Sequence, residues 1–207
     1  MEELAYAYLD QMERLKDRLA QAGHILLQVK AEGEARLCHH EQMGLHIGKA
    51  LEIIAFASLV ANKDTYATVY RDFANHWNAK RLLTNLRAIN SEFYPTPIDM
   101  ENVEPNALQF DILRSGYLTQ DEFIELYGYS SRALHEPNPF RRPSWESRYP
   151  MYQWIDRIIM LMRVHQIRLV DSSHYWIVKL VSEEHGASGL LAAVRVDDDE
   201  VNDETVT

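Results

Sequence analysis

The sequence predicts a mainly α-helical protein: a bundle of long antiparallel helices ending in a small C-terminal β-hairpin or three-stranded meander. Three observations carry this reading. A heptad stripe runs through the first segment, apolar side chains keep a helical period through most of the chain, and near residue 167 the period falls from about 3.6 to about 2. On this basis residues 1–166 form the helical bundle, 167–196 a hairpin packed on it, and 197–207 a disordered acidic tail.

In the first helix Tyr8, Met12, Leu15, Leu19, Ala22, Leu26 and Val29 repeat at alternating spacings of four and three, with Asp10 and Arg14 on other faces. Such a seam requires a partner, either a second helix of the chain or a second copy of it. Gly33 marks the end of this helix.

The second helix is expected from about Glu34 to Ala61, with its apolar second half at the centre of the bundle. A polar stripe in its first half (His39, Gln42, His46, Lys49 and Glu52) reads as solvated or as an interface, with Lys49 and Glu52 as a local pair. Residues 64–89 carry a third helical stripe, through Tyr66, Tyr70, Phe73 and Trp77 and then Leu86 and Ile89, as one helix bent near Asn78 or as two. Pro95 and Pro97 in FYPTP then force an extended chain, which an acidic loop follows.

Thr119 and Glu122 form a T-x-x-E capping box that opens a helix burying Phe123, Leu126 and Tyr127. Pro150 begins the last helix, apolar through Trp154, Ile155, Ile158, Ile159, Leu161 and Met162. Strand alternation follows at Ile167–Leu169 and at Trp176, Val178 and Leu180, with LLAAVRV beyond the turn-like EEHGASG.

The composition of the 207 residues, 46% hydrophobic and 25% charged, is that of an ordinary soluble globular protein. The single cysteine, Cys38, excludes an internal disulfide and a thiol metal cluster, which makes a reducing cytoplasm the default expectation. No basic leader precedes MEELAYAYLD, and the apolar run 50–61 is too short for a bilayer, so no membrane partner is expected. Glycine-rich phosphate loops, nucleophile elbows and paired-cysteine spacings do not occur, so no cofactor and no metal are expected.

Charge is unevenly placed. The net charge is −10, and six acids sit in the last eleven residues. Residues 130–170 instead hold seven arginines, no lysine and three acids. Guanidinium forks match phosphate and carboxylate geometry, so this segment either binds an anion or is neutralised by acids of other helices. Within SSRALHEPNPFRRPSW, Arg132 and His135 stand three apart at a helix end, ahead of a proline-stiffened loop. Asn138, Phe140, Arg141, Arg142 and Arg148 are the candidate nucleic-acid contacts there, with Phe140 or Trp145 stacking a base. The competing reading makes His135 a helix cap and the aromatics core plugs.

Leu134, His135, Asn138, Pro139 and Phe140, with FYPTP upstream and HQIRL…YWIVKLV downstream, resemble a set of uncharacterised bacterial helical proteins with an LHxxNPF pattern. Paired long helices with an arginine–histidine pair also resemble the HEPN superfamily of helical nucleases and nucleotide-binding proteins. Arg71 to His76 fits that superfamily's spacing, polar second residue included, whereas Arg132 and His135 are one residue closer than it. The resemblance implies a metal-independent ribonuclease of defence or toxin type, commonly a dimer. Histidine would move the proton and arginine would hold the phosphate. Two functions therefore stand: an RNA-binding protein or ribonuclease, and a non-catalytic helical homodimer, joined through the first helix, that acts as a protein-interaction module.

Overall fold

The first two helices, α1 (Glu2–Glu32) and α2 (Leu37–Ala61), are joined by four residues and pack along each other. Gly33 makes the turn possible with a φ of 82°, a conformation that a side chain would strain. In this computed structural model the described residues are 2–75, 78–104, 107–136, 140, 147–169, 174–181 and 186–194. The rest of the helical part is α3 (Lys63–Val69), a short 3-10 turn at Phe73–Asn75, α4 (Ala79–Ile89), α5 (Gln120–Ala133) and α6 (Met151–Met162). The protein is thus mainly α-helical.

The heptad seam is filled from within the chain. Tyr8, Met12, Leu15, Leu19 and Ala22 are buried in one core with residues of α2, α6 and the sheet. Towards its end the stripe drifts, so that Ile25 is buried while Leu26 and Val29 are only partly covered. A straight helix falls about 20° behind a strict seven-residue repeat with each heptad, which accounts for the drift.

Helix α2 is the central one, touching α1, α3, α4 and α5. Among the described residues it is also the helix long and apolar enough to cross a membrane, and 67% of its most apolar window is buried in this fold. Its polar stripe is not uniformly solvated. Lys49 and Glu52 do pair, at 2.7 Å. His39, by contrast, is buried, and its Nδ1 accepts the Arg36 backbone N–H at 3.1 Å, which satisfies a free donor at the helix start.

The third helical segment is divided. α3 stops at Tyr70, and α4 restarts with Asn78 as its cap, the Asn78 side chain accepting the Arg81 N–H at 3.0 Å.

The sheet is larger than the sequence reading allows. It has five antiparallel strands in the order β2-β1-β3-β4-β5, with β1 at Thr96–Glu104, β2 at Ala107–Ile112, β3 at Val164–Arg168, β4 at His174–Lys179 and β5 at Gly189–Val194. The stretch after FYPTP, expected to be extended chain and an acidic loop, is the β1–β2 pair, with Ile98 opposite Ile112 and Met100 opposite Phe110. β1 then joins β3 through Thr96–Gln166 and Pro97–His165. His165 and Ile167 and their partners Val178 and Trp176 are buried.

A polar contact locks helix to sheet inside this core. Fully buried His165 faces the Tyr8 hydroxyl at 2.7 Å through Nε2, and its Nδ1 faces the Met162 carbonyl at 3.0 Å. A carbonyl only accepts, so Nδ1 carries the proton and Nε2 accepts from Tyr8. Burial lowers the His165 pKa to about 4, so the ring is neutral.

Candidate functional site

Helix α5 positions the candidate site. Its start is the expected capping box: Glu122 N–H donates to Thr119 Oγ1 at 3.3 Å, and Thr119 N–H donates to Glu122 Oε2 at 3.0 Å. Its far end crosses α2 closely, because a Cβ at Gly44 would stand 2.6 Å from the Ala133 Cβ.

Arg132 lies in the last turn of α5 and His135 just beyond it, both exposed. The His135 backbone N–H donates to the Arg132 carbonyl at 3.2 Å, so backbone rather than imidazole closes the helix here. The Arg132 guanidinium folds back along α5, with Nη1 3.7 Å from where a Cβ at Gly128 would sit. Arg132 therefore extends towards the start of the helix, away from His135.

The other half of the site is held by an acid. Glu122 is buried, and its carboxylate takes a bidentate clasp from Arg157: Nη2 at 2.7 and 2.8 Å from its two oxygens and Nε at 3.2 Å from Oε2. Tyr149 donates its hydroxyl to Oε1 at 3.3 Å, and Arg148 Nη1 stands 3.9 Å from the same oxygen. Both guanidiniums also lie over the Tyr149 ring, at 4.8 Å for Arg157 and 5.3 Å for Arg148. Desolvation raises the Glu122 pKa, but the Thr119 N–H and Arg157 outweigh it and leave it lowered. Arg168 is paired with Glu92 and lies 5.9 Å over the Tyr175 ring. Arg163 is exposed.

The sequence-predicted residues thus fall into separate places. Arg148 stands at Glu122, Arg132 and His135 diverge at the end of α5, and Phe140 is 97% exposed. Arg71 is exposed in the turn after α3, on no regular helix. His76, Asn138, Arg141 and Arg142 lie outside the described residues. Glu122 was legible only as a cap. Nothing in a one-dimensional pattern says that a helix-start glutamate also receives an arginine 35 residues away.

Among the described residues no group of histidine, cysteine, aspartate and glutamate could hold a metal ion. No protein-family model matches the chain, and comparison with curated proteins and with solved structures finds no match.

Proposed function

We propose that the protein is a non-catalytic interaction module that pairs with a second copy of itself where α2 begins and α5 ends. The observation that supports this best is the engagement of Arg148, Arg157 and Arg168 by Glu122 and Glu92. Guanidiniums held this way brace α5, α6 and the sheet, and they present less free charge to a phosphate backbone. At the other end of α5, where α2 begins, Leu37, Leu45 and Leu134 are exposed, at 43, 41 and 52%. Leu45 and Leu134 each follow a member of the tightest α2–α5 contact, Gly44 and Ala133, so they emerge beside one crossing. Apolar side chains grouped in this way favour an interaction surface. The α1 seam is covered by the chain's own residues, which favours this face over the seam for self-pairing.

Sedimentation velocity over a concentration series tests the reading. The wild type is expected to self-associate, and Leu37→Glu/Leu134→Glu to be monomeric with an unchanged melting temperature. A wild type that stays monomeric at every concentration overturns it.

One observation favours a second reading, an RNA-binding protein or metal-independent ribonuclease. Arg132 in the last turn of α5, His135 just beyond it and Phe140 five residues further on are all exposed. Labelled single-stranded RNA without metal, offered to the wild type and to the Arg132→Ala/His135→Ala and Arg71→Ala/His76→Ala doubles, tests that reading. It fails if neither double changes binding or cleavage.

A further inference from the structure

The α2 polar stripe remains outside both readings. Across from it, α1 carries Gln11, Arg14, Arg18 and Gln21 at spacings of three, four and three, and between the two helices lies an open concavity of about 520 Å³. Its cations differ in what they already bind. Arg14 is held by Asp10 at 3.0 Å, and Lys49 by Glu52 at 2.7 Å. Arg18 is half-buried and has no ion pair or side-chain hydrogen bond among the described residues. Its guanidinium faces the open groove with five N–H donors in a fixed fork, a geometry that matches planar or tetrahedral oxygen groups. His46 of α2 lies outside the lining of the groove, with a buried Nδ1 that has no hydrogen-bond partner, and is near enough to Arg18 to feel its charge. Ile53 and the half-buried Phe56 give the concavity an apolar wall.

We propose that this groove binds a small organic anion, a carboxylate or phosphate monoester with an apolar body, whose oxygens take the Arg18 fork while the body lies on Ile53 and Phe56. Single-group recognition fits the charge. Asp17 and Glu52 also line the groove, so it is too nearly neutral for a polyanion and suits one anionic head. The open groove is roomy enough for a small molecule to lie along it. The site lies on α1 and α2 and owes nothing to Arg132, His135 or the α5 end.

His46 supplies an internal reporter. Its pKa is lowered by burial and by the charge of Arg18, so an anion that neutralises Arg18 raises it. The experiment follows the His46 ring signals by NMR in the full chain, titrated with phenyl phosphate and separately with inorganic phosphate. The expected result is a saturable shift with phenyl phosphate, an upward His46 pKa, and an affinity at least about tenfold above that for inorganic phosphate, since a buried ring adds more than about 1.4 kcal/mol. Arg18→Gln is expected to abolish the shift, and Arg18→Lys, which keeps the charge without the fork, to weaken it; both are checked for an unchanged melting temperature. No shift, an equal shift in Arg18→Gln, or equal affinity for the two phosphates overturns the proposal.

Discussion

Replacing Tyr8 by phenylalanine tests the buried contact between α1 and β3. The substitution removes only the hydroxyl that His165 Nε2 faces at 2.7 Å. Because Nδ1 is committed to the Met162 carbonyl, the ring cannot change tautomer to compensate. A buried acceptor left unmet costs about 1–3 kcal/mol. The pH dependence gives an independent measure. The unfolded chain takes up a proton on this ring near 6.5, whereas the folded chain resists to about 4. Through that window the unfolded state binds more protons, so stability rises with pH across it and falls as the solution is acidified. At about 1.4 kcal/mol per pH unit the full window is worth roughly 3 kcal/mol. Most of that is lost between about pH 7 and about pH 4.5. Burial lowers His40 and His46 as well, so they add to the slope with the same sign. Urea unfolding at several pH values, for the wild type, Tyr8→Phe and His165→Gln, separates the contributions. His165→Gln is expected to flatten most of the slope, and ring NMR to show His165 untitrated at pH 5.5. A His165 signal that titrates above pH 6, or an unchanged stability in Tyr8→Phe, would refute the reasoning.

Three further outcomes are expected. Glu122→Gln removes the charge that Arg157 clasps and should cost about 3 kcal/mol in urea unfolding, as breaking one half of a buried pair does. Because the Glu122 pKa is lowered, this stability is present above about 4.5 and is lost as pH falls through the folded value. Gly44→Ala drives a Cβ against Ala133 and should destabilise by about 1–3 kcal/mol, with Ala133→Gly restoring most of it; Gly48→Ala, where the nearest atom is 3.3 Å away, should be much milder in the same melt. Asp111→Lys replaces one of two exposed aspartates that sit opposite each other on β1 and β2, and should stabilise by up to about 1 kcal/mol in thermal unfolding.

The helical part of this fold is written locally, which is why it can be read. A stripe such as Tyr8–Met12–Leu15–Leu19 records which face is buried, and T-x-x-E records where α5 begins. The alternation of Ile98-Asp99-Met100-Glu101 and of Leu108-Gln109-Phe110-Asp111-Ile112 was equally legible as strand. Prolines at 95 and 97 and the density of acids drew the reading towards a loop, although a proline at the beginning of a strand is compatible with it. The stripe alone could not say who fills the α1 seam, since a helix of the same chain and a second copy impose the same heptads. The site was less legible than the fold. An excess of arginine over acid between residues 130 and 170 is a property of the chain, whereas neutralisation happens in space. Glu92 and Glu122, which clasp Arg168 and Arg157, both lie outside that window. Tyr8 and His165, 157 residues apart, left no mark on the sequence that either needed the other.

Fluorescence anisotropy of labelled single-stranded RNA, at low and moderate salt, addresses most directly whether the arginine-rich segment is scaffold or site. The expected result is weak binding that Arg132→Ala/His135→Ala leaves unchanged. Tight binding that falls steeply with salt and disappears in that double variant would contradict it.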